Sequence, residues 1–166
     1  MKVVYRSIVV LMLVVAMVCG GCERLDDDRV YGPCRIDLSL LASWTVYGVT
    51  GLGMYRYFIK DRHIPSNYPY TATTYTGMGG VLLMDVGIGA VQPMAFEMAC
   101  PYERKKSVLV EVDANSLEVV CPQCGSRFDV IAGHGQAVDG PAYREHMGLH
   151  RYKVVASNSG GYLITN

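Results

Sequence analysis

Apolar and polar residues alternate along much of this chain in runs too short for helices. In "CRIDLSL", Ile36, Leu38 and Leu40 fall on one side and Arg35, Asp37 and Ser39 on the other. That two-residue period predicts a half-buried strand. A second strand is expected at Met54–Ile59. Between them Gly48, Gly51 and Gly53 break "SLLASWTVYGVTGLG" into loop-like pieces, and "KDRHIPSNYPYTATTYTGMGG" reads as a long loop rich in Pro, Gly, Asn and Thr. Short strand candidates then follow in quick succession: "GVLLMDV", "PMAFEMAC", "SVLVEVD", "LEVVC", "SRFDVIA", "RYKVVAS" and "GYLITN". "DANS" and "SNSGG" carry the turn chemistry of hairpins. No long amphipathic helix and no internal repeat stands out. Strands at this spacing predict an all-β fold, an antiparallel sandwich or barrel.

The first 21 residues follow a different pattern. Lys2 and Arg6 precede an apolar stretch, Ile8 to Val18, that is shorter than the roughly 20 residues needed to span a bilayer. Gly20 and Gly21 then lead to Cys22. This predicts a signal peptide over residues 1–21. The small residues ending in Cys22 resemble the lipobox of bacterial lipoproteins, although Cys19 stands where Leu is more usual. The resemblance implies a lipidated Cys22, a membrane partner and an outer-membrane location, on the periplasmic or the cell-surface side. Residues 22–33, with "ERLDDDR", then form an acidic tether, and residues 34–166 the folded domain.

Charge narrows the function. Of 15 basic side chains, Lys2 and Arg6 belong to the leader, so the remainder is slightly acidic against 15 Asp and Glu. No basic run suggests a nucleic-acid partner. About 140 residues suffice for one domain with its own core. Twelve tyrosines, with many Val and Thr, agree with strands.

The chemistry lies in cysteines. Apart from Cys19 and Cys22 there are Cys34, Cys100, Cys121 and Cys124. The last three occupy "ACPYE" and "CPQCGSRFD", at the two ends of a predicted hairpin made of "SVLVEVD" and "LEVVC". An antiparallel hairpin returns to its starting end, so the two loops are expected to meet.

The order of these motifs resembles the Rieske-type iron–sulfur domains, antiparallel β sandwiches with one Cys-x-His and one Cys-x-x-His-Gly loop flanking a hairpin. Cys100 and Cys121 match the cysteines, and Gly125 and Phe128 fit the second loop. "GPA" at 140–142 resembles the loop that covers the cluster, and "LHRYKV" the strand after it. The resemblance spans residues 94–164 and fits residues 23–93 loosely. It implies a 2Fe–2S cluster, single-electron transfer and an envelope protein partner, with no enzyme acting alone. The histidine positions, however, hold Tyr102 and Cys124. Cys100, Cys121, Cys124 and a Tyr102 phenolate would give a more negative cluster of lower potential than a centre with two imidazoles.

Two other outcomes remain open. "CPQCG" resembles one knuckle of a zinc ribbon, with Cys100 as a third ligand and His134 the nearest histidine for a fourth. Alternatively no cofactor binds, and in an oxidising compartment Cys100 pairs with Cys121 or Cys124 in a structural or protein-interaction module. Other residues read as bland. His146 and His150 are expected to be exposed on a loop. Asp85, Glu97, Glu111, Asp113 and Asp129 are expected at solvated positions, and the tyrosines of "NYPYTATTYTG" at the surface. No nucleophile elbow is present, and neither glycine cluster sits in a strand–helix unit that would cradle phosphate.

Overall fold

The computed structural model describes residues 31–87 and 92–166. The leader, Cys22 and "ERLDDDR" lie outside the described residues. In chain order the strands are β1 (Cys34–Leu40), β2 (Tyr55–Phe58), β3 (Tyr75–Thr76), β4 (Val81–Met84), β5 (Met94–Glu97) and β6 (Glu111–Val112). They continue with β7 (Val119–Val120), β8 (Arg127–Asp129), β9 (Gln136–Asp139), β10 (Arg151–Ala156) and β11 (Gly160–Thr165). Two short α-helices, α1 (Leu41–Tyr47) and α2 (Pro141–Arg144), and a 3-10 turn at Lys60–Arg62 accompany them. The fold is all-β, and every strand pairing among the described residues is antiparallel.

The larger sheet runs β2-β4-β5-β10-β11-β1-β3 and the smaller β6-β7-β8-β9. Alternation in β1 holds as far as Leu38, with Ile36 and Leu38 buried and Arg35 and Asp37 exposed, but Leu40, expected on the buried face, is exposed where the strand passes into the helix at Leu41. β4 differs because "VLLM" is buried throughout, as in a strand covered on both faces. Leu82 and Met84 join Phe96 in a core shared with Val119 and Phe128 of the small sheet. Val81 and Leu83 join Ala95 in a second core with Ile36, Leu38 and Trp44. Central strands β4 and β5 thus separate two apolar cores. Both expected turns form: Asp113 N–H bonds to Glu118 O at 2.8 Å, and Ser157 N–H to Gly161 O at 2.8 Å.

Four local expectations are corrected. Residues 41–47 form a helix instead of a loop, which buries Trp44 against Tyr162, with ring centroids 4.6 Å apart. Tyr68 is buried, packed edge-on against Phe58 and Tyr47. His150 is half-buried and stacks on Tyr31 at 4.8 Å, whereas His146 is exposed as expected.

Glu97 is fully buried, not solvated. Its carboxyl oxygens accept from the N–H groups of Met78, Gly79 and Ala99, each at 2.8 Å, and from the Tyr152 hydroxyl at 2.6 Å. Those donors satisfy the polar group that burial would otherwise penalise.

Phe96 lies at the centre of the core shared by the two sheets. Phe96→Ala should cost about 3–5 kcal/mol, the usual range for deleting a buried aromatic ring. Urea unfolding checks this as a lower midpoint at unchanged slope.

Candidate metal centre

The first cysteine loop leaves the large sheet at β5. Ala99 bridges to Leu109, and the loop closes through Cys100 N–H to Val108 O at 3.0 Å. Within it Arg104 N–H returns to Cys100 O at 2.9 Å, and Arg104 adopts a left-handed φ of 51°. The second loop leaves the small sheet at β7. Cys121 N–H bonds to Ser126 O at 2.9 Å, and Gly125 N–H to Cys121 O at 3.0 Å. Gly125, just after Cys124, has φ +72°, so the tight turn that carries the two thiols is closed by a residue that needs to be glycine.

The hairpin brings the loops together as expected. The sulfurs of Cys100, Cys121 and Cys124 all lie within 4.8 Å of one another, and Cys100 Sγ is 3.8 Å from Cys124 Sγ. Cys100 and Cys121 are fully buried, while Cys124 is half-buried at the edge of the same core. Three soft donors this close can hold a metal ion.

The "GPA" segment packs onto the second loop through Ser126, a residue whose type alone gives no hint of its role. The fully buried Ser126 hydroxyl accepts from Ala142 N–H at 2.9 Å and lies 3.1 Å from Cys124 Sγ. With its oxygen engaged by Ala142, its hydrogen is free to turn towards the sulfur when Cys124 ionises. Gly140 makes this approach possible: it has φ +84°, and an added Cβ would lie 2.7 Å from Ser126 Cα.

The thiols differ in acidity. Burial pushes Cys100 up to about 12, although the N–H groups of Glu103 and Tyr102 oppose it. Burial also acts to raise Cys124, but hydrogen bonds from the Ser126 hydroxyl and N–H and from the neighbouring thiols outweigh it. Its pKa falls below the ordinary thiol value. A bound cation would favour the thiolate form at every ligand.

The remaining candidates are placed elsewhere. His134 lies outside the trio, with its Nδ1 3.4 Å from Met94 Sδ. Tyr102 turns its N–H towards the Cys100 sulfur, and its ring is exposed. Cys34 sits in the other core, where burial and then the Glu97 charge hold its thiol far above the usual range. The three-cysteine group does not include it.

A scan against protein-family models finds no match, and a search of curated proteins finds no similar chain.

Ser126→Ala should shift the alkylation midpoint of Cys124 in the reduced, metal-free protein to higher pH, because the bond that favours its thiolate is lost. Removing the acceptor from Ala142 N–H should also cost about 1–3 kcal/mol. Alkylation rate against pH, followed by peptide mapping, reads the first effect, and urea unfolding the second.

Proposed function

We propose that the domain binds a single thiophilic metal ion, zinc being the best fit, through the thiolates of Cys100, Cys121 and Cys124. The observation that carries this reading is the sulfur spacing. A tetrahedral ion with metal–sulfur bonds of about 2.3 Å sets its sulfurs about 3.8 Å apart, and Cys100 and Cys124 already stand at 3.8 Å. The fourth position falls to water, a partner's donor, or the exposed phenol of Tyr102. His134, engaged with Met94, is a poor candidate.

The wider context belongs to the same proposal. We read the chain as a lipid-anchored envelope protein with a Rieske-like domain. Support comes from the lipobox-like residues ending in Cys22, from the order of loop, hairpin and loop, and from the contact of the "GPA" segment with Ser126. A 2Fe–2S cluster fits this donor set less well than one ion does. Its four protein ligands are divided between two irons, whereas these three sulfurs cluster within 4.8 Å, and no imidazole accompanies them. Metal binding for structure, or for presentation to an envelope partner, is therefore the function the donor set supports best.

The 3.8 Å contact favours a second reading, a Cys100–Cys124 disulfide. The two thiols would give up two protons and two electrons to a disulfide oxidant of the envelope. Metal and thiol analysis of one sample separates the readings. The metal reading expects one zinc per chain and slow alkylation at all three cysteines until a chelator is added. A metal-free protein with Cys100 and Cys124 resistant to alkylation until reduced would replace it with the disulfide.

Three further outcomes are expected. Cys121→Ser should weaken zinc binding by at least about a hundredfold, the scale of losing one thiolate of three, as read by competition with a chromogenic chelator. Zinc affinity should also fall as the pH is lowered, because protons compete for the thiolates. Cys22→Ser should move the chain from the membrane fraction to the soluble one, as read by fractionation. Retention in the membrane would remove the lipid anchor from the proposal.

A further inference from the structure

A cleft of about 760 Å³ opens beside the first cysteine loop. One wall is the turn at residues 60–62, a second is residues 74–76, and the third is residues 104–107 of the loop that begins at Cys100. The floor is Gly77–Gly79, fixed from beneath by the Glu97 carboxyl, which takes the N–H groups of Met78 and Gly79. Those amides are therefore spent, and any ligand must be held by side chains.

The lining side chains are strongly cationic. Lys60, Arg62, Arg104, Lys105 and Lys106 face the single carboxylate of Asp61, in a chain whose formal net charge is zero. Lys60 is committed to the fold, its Nζ donating to Thr71 O at 2.8 Å and Thr74 O at 2.7 Å. Lys106 pairs with Asp61, but both are well exposed, and such a pair is weak enough for a ligand to displace. Lys105 makes a long contact of 3.6 Å with Glu103. Arg62 has no side-chain hydrogen bond or ion pair within this cleft; it also borders a smaller hollow of about 270 Å³ that reaches Pro122 and Gln123, between the thiols of the second loop.

We propose that this cleft binds a small dianionic oxyanion ligand of the phosphate-monoester class, held by Arg62, Arg104, Lys105 and Lys106. Two guanidinium groups and two ammonium groups over a rigid floor suit a phosphate group, since arginine forks meet its oxygens two at a time. The volume is that of a small-molecule site. The surface is concave, which fits a soluble phosphorylated compound better than the plane of lipid headgroups. Arg104 is tied by its own N–H to the carbonyl of Cys100, so an occupied cleft stiffens the loop that carries one sulfur of the trio.

Glucose 6-phosphate and inorganic phosphate serve as probes, with glucose as the neutral control and phosphatidic-acid vesicles as the lipid arm. Titration by NMR or calorimetry on the full-length protein should show saturable binding of the sugar phosphate and none of glucose. Shifts should centre on residues 60–62, 74–79 and 104–107. Arg62→Gln with Lys106→Gln should weaken binding by at least about tenfold, the scale of one lost charge-assisted contact. Asp61→Asn should strengthen it by about threefold, because it frees Lys106 and removes a repelling charge. Lys153→Gln, which removes one positive charge on β10 outside the cleft, should leave the affinity unchanged.

No saturable binding of either phosphate probe, equal loss in Lys153→Gln, or binding to the vesicles alone would overturn the proposal. Zinc content measured on the same samples tests the sulfur site separately, so failure of the cleft and failure of the metal centre give different results.

Discussion

The carboxyl group of Glu97 holds together the part of the molecule where chemistry is concentrated. It sits at the end of β5 with no exposure, three residues before Cys100, and receives three backbone amides and the Tyr152 hydroxyl. Without it those amides would be buried with no partner, each costing about 1–3 kcal/mol. It joins β5 to the Gly77–Gly79 segment and to β10, and so fixes the direction in which the first cysteine loop departs. The Tyr152 hydroxyl has its pKa pushed far up, by burial first and then by the Glu97 charge, so it remains a hydrogen-bond donor.

From that anchor the site follows by short steps. β5 delivers Cys100 from the large sheet, and β7 delivers Cys121 and Cys124 from the small one. The α2 segment closes over the second loop by one hydrogen bond to Ser126. Two of the sulfurs belong to the apolar core between the sheets, which explains the high pKa of Cys100, while the third is half-buried at its edge and made more acidic by hydrogen bonds from Ser126 and the neighbouring thiols.

Much of this could be read from the sequence because it depends on period and spacing. The alternation of residues 34–40 and the glycine-rich turn after Cys121 are local signals, and a hairpin between two cysteine loops forces them together. What could not be read depends on distant partners. Glu97 looks like an outward-facing polar position in "MAFEMAC" until the 78–79 amides are seen to reach it. His134 is near the second loop in sequence, but β8 carries the chain away, to Met94. Tyr31 and His150 stack across most of the chain length, a contact that no window of residues contains. In "LASWTVY" the β-branched and aromatic residues disfavour helix by propensity, yet burial of Trp44 on Tyr162 decides the outcome.

The position of Cys100 and Cys121 inside the shared core has a mechanical side. One sulfur hangs from each sheet, so any bond that joined them would act as a rivet between two layers held by apolar packing and a few hydrogen bonds, such as Val112 N–H to the Tyr57 hydroxyl at 3.0 Å. The β1–β11 half of the molecule is packed around its own core, on the other side of β4 and β5. Such a bond would bear directly on one core and would reach the other only through β4 and β5, the strands that lie between them.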